Sequence, residues 1–266
     1  MNKKILLTGA AGKLGAHLRE FLATACTELH SVDNREFKAI AKNEFAHMVD
    51  LADAHALEAL LQGVDAVIHF AGYPREADWS TLIATNVIGV ANLWEQSKQA
   101  GVGRMIYASS NHAVGMYPRS ESIDESAMPR PDTRYGVTKV FMESLAGLYA
   151  AKHGLRGFGM RIGHCSFAPA DRRSLSHWLH PDDLIELVRT GLDAEYENEI
   201  VFGLSANSEA WWRNNRAFAL GFRPRHSADS FAKDLAGSPA EDRLAGYFQG
   251  GSFAAAEYDN PRFTPI

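Results

Sequence analysis

The stretch Lys4-Ile5-Leu6-Leu7-Thr8-Gly9-Ala10-Ala11-Gly12-Lys13-Leu14-Gly15 decides the fold. Its apolar run, Ile5 to Leu7, is continuous instead of alternating, as expected for a strand buried on both faces of a parallel sheet. The run stops at Gly9, and residues 13–25 follow with helical spacing. The same rhythm recurs outward from it. Leu29 to Val32 ends at Asp33, Ala66 to Phe70 at Ala71-Gly72, Met105 to Ala108 at Ser109-Ser110, and Phe158 to Ile162 at Gly163. Helical spacing fills 53–62, 79–100 and 134–153 between them. Strands alternating with helices of that length predict an α/β fold with a doubly wound parallel sheet over residues 1–163.

Past residue 163 the rhythm breaks into prolines and glycines, with helices expected near 182–192 and 238–247 and a strand-like run at Ile200-Val201-Phe202. Ser238-Pro239-Ala240-Glu241 reads as a capping box that starts the last helix. No linker separates the parts, so residues 164–266 are expected to form a small substrate lid packed on the core as one compact unit.

Composition narrows the function classes. The 266 residues carry 27 Lys+Arg against 32 Asp+Glu, a formal charge of −5, which excludes a basic nucleic-acid binder. A 46% hydrophobic and 22% charged chain is globular, not disordered. Two cysteines, Cys26 and Cys165, make no disulfide framework or metal spacing. No apolar run reaches the roughly 18 residues of a membrane span, and Met1-Asn2-Lys3-Lys4 leads into no cleavage region. A cytoplasmic protein with neither membrane nor nucleic-acid partner is expected.

Gly9-x-x-Gly12-x-x-Gly15, with Lys13 and Leu14 inside it, stands between strand and helix. Glycines there permit a tight turn and close approach of the backbone to a pyrophosphate, whose charge suits the free N–H groups of a helix start. The spacing differs from G-x-G-x-x-G, but strand, glycines, helix and second strand come in the order that a Rossmann dinucleotide site requires. Asp33 ends the second strand, where a carboxylate accepts hydrogen bonds from the adenosine ribose and repels a 2′-phosphate, favouring NAD over NADP. Arg35 stands close by. Asp50-Leu51 is placed to contact the adenine, although an Asx turn explains Asp50 nearly as well.

Tyr135 and Lys139, at i and i+4, share one face of the helix expected over 134–153. The pair alone proves little, and its position decides. It follows the strand ending in Ser109-Ser110, and ligands in this fold bind at the carboxyl ends of strands, so Ser110, Tyr135 and Lys139 can converge. A phenol of pKa near 10 is a poor base at neutral pH; bringing it to about 7 requires about 4 kcal/mol of stabilisation of its anion. The Lys139 ammonium and a nicotinamide cation are expected to provide it. Tyr135 then takes a substrate hydroxyl proton, Ser110 holds the same oxygen, and Lys139 holds the nicotinamide ribose.

Through the glycine motif, Asp33, Ala71-Gly72, Asn86, Ser110 and Tyr135-x-x-x-Lys139, residues 1–165 resemble the extended short-chain dehydrogenase/reductase family. More narrowly, almost the whole chain is similar to bacterial uronate dehydrogenases. The similarity lies at Ser109-Ser110-Asn111-His112, Gly115-Met116-Tyr117-Pro118, Tyr135-Gly136-Val137, Arg161-Ile162-Gly163, Ser205-Ala206-Asn207, Trp211-Trp212 and Phe248-Gln249-Gly250-Gly251. The resemblance implies NAD-dependent oxidation of an acidic hexopyranose at C1 to an aldonolactone, with Ser110, Asn111 and His112 lining the sugar site and Arg173 near the acid group. A guanidinium suits a carboxylate or sulfonate. His112 reads equally as a hydrogen-bonded structural histidine.

Two positions depart from the uronate pattern: His164 and Pro74 stand where serines are expected. An imidazole at His164, beside Arg172 and Arg173, would suit the sulfonate of sulfoquinovose at least as well as a uronate carboxylate. A nucleotide-sugar epimerase or dehydratase is the other catalytic alternative, although its kind usually carries a larger carboxyl-terminal region. A catalytically silent NAD-binding regulator has no need of the full Ser110, Tyr135, Lys139 set. Trp211-Trp212 is read as core or interface, and Asn86 as a hydrogen-bonding tie. The histidines form no metal motif, so no metal is expected. The apolar stripe Leu145-Ala146-Gly147-Leu148-Tyr149 makes a homo-oligomer reasonable.

Overall fold

The computed structural model describes residues 3–239 and 241–263. Strand β1 (Lys4–Thr8) lies inside a seven-stranded sheet with β2 (Glu28–Asp33), β3 (Glu44–Met48), β4 (Ala66–His69), β5 (Arg104–Ser110), β6 (Arg156–Ile162) and a late strand, β9 (Asn198–Gly203). The order is β3-β2-β1-β4-β5-β6-β9 and every pairing is parallel. The chain winds outward from β1 to one edge and returns through β4 to the other, so the carboxyl ends of β1 and β4 open a crevice at the point of reversal.

Alternating side chains serve two cores. Ile5 and Leu7 pack with Leu18 and Leu22 of α1 (Lys13–Ala25), whereas Leu6 packs with Leu57 and Leu61 of α2 (Ala54–Leu61). All three strand residues are fully buried, each contributing roughly 1.5–3 kcal/mol. Asp53 caps α2 by accepting from the His55 and Ala56 N–H groups.

The helix expected over 79–100 is interrupted. α3 (Trp79–Leu82) runs into a π-helical segment, Ile83–Gly89, before α4 (Val90–Gln99) resumes ordinary spacing. The wide turn carries Asn86, whose Oδ1 accepts the Tyr73 N–H at 2.7 Å and whose Nδ2 donates to Thr138 Oγ1 at 3.2 Å. Thus the loop after β4 is tied to α5 (Arg134–His153). The Thr133 hydroxyl accepts the Gly136 N–H at the start of α5, and Gly154, at φ 68°, ends the helix in the left-handed region that glycine tolerates.

Residues after 163 are part of the same body. β9 pairs with β6, and Leu184, Leu187 and Val188 of α7 (Pro181–Asp193) pack in the same core as α1, so a boundary at residue 163 cuts through the sheet. β7 (His164–Cys165) and β8 (Trp178–Leu179) form a small second sheet around α6 (Ser174–His177), and α8 (Asn215–Ala219) follows β9. The last helices also differ from expectation. α9 (Arg243–Tyr247) starts at Asp242, whose carboxylate accepts from the Leu244 and Ala245 N–H groups. Ser238 instead closes a preceding 3₁₀ turn through its N–H to the Leu235 carbonyl. The capping-box reading of 238–241 is therefore corrected; its Ala240 lies outside the described residues. α10 (Ser252–Ala255) has no counterpart among the expected helices. Among the described residues, no helix is long and apolar enough to cross a membrane.

Candidate active site

A cavity of about 640 Å³ opens at the carboxyl ends of the strands, a size ordinary for a small-molecule site. At one end, Gly9, Gly12, Lys13, Leu14 and Gly15 form its wall with Asp33, Asp50, Leu51, Ala71 and Gly72. The backbone is packed too tightly here for side chains. A Cβ at Gly15 would lie 2.0 Å from the Gly9 carbonyl oxygen, and one at Gly9, itself at φ +75°, would lie 2.6 Å from the Ala71 nitrogen. No side chain caps α1 at Gly12, so its first N–H groups keep the capacity to bind an anion. Asp33 Oδ2 accepts the Ala11 N–H at 2.9 Å and Oδ1 the Arg35 N–H at 3.1 Å. A carboxylate has about four lone-pair sites, so capacity remains for a ribose hydroxyl. Asp50 accepts the Ala52 N–H, the Asx turn allowed from sequence, and still lines the cavity. Cradle, uncapped helix start and acidic strand end together fit a dinucleotide.

Midway, Ser110, Tyr135 and Lys139 share the wall. β5 delivers Ser110 and the start of α5 delivers the other two. Glu76 accepts the Tyr135 N–H at 2.8 Å, helping to fix the helix start. Lys139 Nζ donates to the Ala108 carbonyl at 2.8 Å and stands 5.5 Å from the centre of the Tyr135 ring. Burial pushes the Tyr135 phenol up to about 12; the Ser110 hydroxyl opposes the rise and Asp132 adds to it. Burial likewise brings Lys139 down to about 8, against the pull of Glu143. In the chain by itself, loss of solvent dominates the phenol.

The far end gathers distant segments. Asn111 and His112 line it, and Asn111 Nδ2 is buried without a partner among the described residues. His112 Nδ1 lies 2.7 Å from Asp132 Oδ2, and its ring stacks on Phe253 at 4.2 Å. His164 and Arg173 are not on the wall. Gly163 and Cys165 are, and the His164 ring between them lies 6.4 Å from the His177 ring, close enough for the Arg173 charge to act on it. His164 is exposed, and its pKa is lowered chiefly by burial of part of the ring. Pro74 does line the cavity.

Arg173 stands one layer back. It donates from Nη1 to His177 Nε2 at 2.7 Å and from Nη2 to the Gln249 carbonyl, while Nε is buried without a partner. No carboxylate lies within ion-pair distance of it among the described residues, and burial, with Arg119 nearby, lowers it to about 10. His177 is packed directly behind Gly163: a Cβ there would come 1.9 Å from the His177 carbonyl oxygen. Asp132, His177 and Phe253 are absent from the residues that the sequence singles out. Asp132 reads as part of a helix start, and nothing local ties these residues to one site.

Away from the cavity, His180, Asp182 and His226 bring potential metal ligands within 4.8 Å of one another, a grouping that motif spacing could not reveal. The two imidazoles stack at 3.6 Å and 16°, which points their nitrogens side by side, and His226 Nδ1 is already placed on Asp183 at 3.2 Å. Trp212 is core, as expected, stacked on Phe202.

Residues 5–179 match the sequence profile of the NAD dependent epimerase/dehydratase family. Uronate dehydrogenase of Pseudomonas syringae pv. tomato is 38% identical over 257 residues, covering 95% of this chain and 94% of that protein. Among solved structures, glucuronic acid dehydrogenase of Chromohalobacter salexigens superposes with a TM-score of 0.92 at 36% identity, covering 96% of this chain and 98% of the other. A tyrosine-to-alanine mutant of the Agrobacterium tumefaciens uronate dehydrogenase, complexed with NAD, superposes with a TM-score of 0.91 at 35% identity over 99% of both chains.

Proposed function

Because the chain belongs to the NAD dependent epimerase/dehydratase family, we propose that it is an NAD-dependent dehydrogenase oxidising C1 of an acidic hexopyranose, a uronate, to the aldonolactone. The observation that carries the acid group is Arg173. A half-buried guanidinium with an unpartnered Nε and no carboxylate partner is costly in a protein that binds no anion. An acid group at the far end of the cavity supplies the missing charge, once segment 249–251 yields to admit it. Asn111 Nδ2, also unpartnered among the described residues, takes a sugar oxygen.

Bound NAD supplies the hydride acceptor. Tyr135 takes the proton of the C1 hydroxyl as the C1–H bond breaks and C1=O forms, and Ser110 holds that oxygen by donating its hydroxyl. Lys139, at about 8, is mostly ammonium at neutral pH and supplies positive charge beside the phenol. Gly9, Gly12, Gly15 and Asp33 position the dinucleotide, with Lys13 and Leu14 at the helix start, Asp50 and Leu51 by the adenine, and Ala71 and Gly72 alongside. A free substrate leaves as a lactone and each turnover yields NADH, unlike an epimerase, which keeps its cofactor cycling. Exposed Val137 and Leu148 on α5 fit self-association into a homo-oligomer, which light scattering checks.

The deciding assay follows NADH with glucuronate, galacturonate, sulfoquinovose and glucose side by side. Turnover of the uronates, with glucose poor, is expected. A guanidinium also binds a sulfonate, but relatives 36–38% identical over nearly the whole chain are uronate dehydrogenases, so sulfoquinovose is ranked second. Exclusive use of glucose, or absence of NADH with every sugar, contradicts the proposal.

A further inference from the structure

We propose that Asp132 is a positioning residue that fixes the tautomer of His112, so that His112 presents an unprotonated Nε2 to the sugar hydroxyl next to the carbon that reacts. The inference rests on the reading above and deepens it.

Asp132 is held as few surface carboxylates are. Its side chain is fully buried. Two glycines lie against it: a Cβ at Gly115 or Gly250 would come within 1.9 Å or 2.0 Å of Oδ2. The Thr133 hydroxyl accepts the Gly136 N–H at 3.0 Å, so its own proton goes to Asp132 Oδ1, 2.9 Å away. Oδ2 is left to His112 Nδ1 at 2.7 Å. An ionised carboxylate only accepts, so Nδ1 carries the proton, and in the neutral ring Nε2 is an acceptor.

The ring has little freedom to do otherwise. Phe253 stacks on one face, the Tyr135 ring meets it edge-on at 5.9 Å, and the His112 N–H is bound by Ser110 Oγ at 3.2 Å. Its carbonyl accepts the Asp132 N–H, and Gly136 is packed against it. His112 is therefore a fixed acceptor beside the two residues that hold the reacting oxygen. The neighbouring hydroxyl of a C1-oxidised sugar is the donor that such an acceptor selects.

Asp132→Asn tests this with little change of shape. Thr133 must still donate, which turns the amide oxygen toward it and the NH₂ toward His112 Nδ1. That forces the ring proton onto Nε2, the mismatch that makes the equivalent carboxylate-to-amide change so costly in a serine protease triad. Initial rates are measured for glucuronate and for its 2-deoxy counterpart. The wild-type protein is expected to prefer the hydroxylated sugar by ~100-fold or more in kcat/KM, because an acceptor left without its donor penalises the analogue. The variant is expected to lose that preference to within about threefold, with NAD affinity and Tm retained. Equal slowing of both sugars, or an unchanged preference, overturns the proposal.

If the variant does not fold, His112→Ala is measured with the same pair and must also lose the preference. Nitrogen-15 NMR of the His112 ring reads the tautomer without turnover: a proton on Nε2 alone in the wild-type protein contradicts the assignment. Absence of turnover with every acidic sugar would count against the activity, whereas turnover without preference for the hydroxyl counts against Asp132 alone.

Discussion

The dinucleotide end of the cavity is made mostly from near neighbours in the chain, Gly9 to Gly15 with Asp33 at the next strand end, while the sugar end is assembled from residues 110–112, 132, 173 and 249–253. At the first, backbone forms the wall. Close approach excludes side chains, and the free N–H groups of α1 need no long-range partner. At the second, side chains are gathered, each oriented by another: His112 by Asp132, Arg173 by His177 and the Gln249 carbonyl. Local construction tolerates drift elsewhere in the chain, whereas relayed construction allows one substitution to change the ligand chosen. Changes that alter turnover or sugar binding should therefore leave the dinucleotide end undisturbed.

The largest separation is expected from Tyr135→Phe. Turnover should fall by about 10³-fold or more, since the phenol oxygen that takes the proton is gone. NAD affinity should stay near the wild-type value, because the glycine cradle and Asp33 are untouched. Calorimetric titration with NAD beside a rate measurement checks both, and retained turnover rejects Tyr135 as the base.

Arg173→Met comes next and sharpens the comparison at the other end. It removes the charge and keeps apolar bulk, so KM for a uronate should rise about 100-fold, in the range found when one partner of a buried charge pair is lost. Binding of NAD and any slow oxidation of glucose should not change. A similar loss for charged and neutral sugars would show that Arg173 does no more than hold segment 249–251 in place.

What is legible in the sequence follows the same division. The glycine motif, the first helix and α5 are visible because each is specified by adjacent residues: turn glycines, apolar period, and a glycine at the helix stop. The π-helical segment is not, since its apolar pattern reads as ordinary helix and only the demand of the 71–73 loop for Asn86 distinguishes it. Asp242 prevails over Ser238 as the helix cap because it accepts two N–H groups while Ser238 serves a preceding turn. The Asp132–His112 pair has no local signal, and only the folded chain brings it together.

The effect furthest from turnover concerns the scaffold under the dinucleotide end. His69, fully buried with Nδ1 2.7 Å from Thr8 Oγ1, is lowered by burial to about 3. Unfolded, it titrates near 6.5, so the unfolded chain binds more protons between those values. Stability from this group is therefore complete above pH 6.5 and is lost as pH falls toward 3, on the order of 5 kcal/mol across the window. Urea unfolding at stepped pH should show that decline, and a His69→Gln variant should lack its share of it. An unchanged slope in the variant would assign the acid sensitivity to other groups.

One crystal structure with NAD and a uronate bound tests the central claim most directly. The account predicts the Tyr135 hydroxyl and Ser110 Oγ within about 2.6–3.2 Å of the C1 oxygen, with the sugar carboxylate on Arg173. A sugar lying the other way round, its acid group at Tyr135 or in solvent and the Arg173 guanidinium still without an anion, would contradict it.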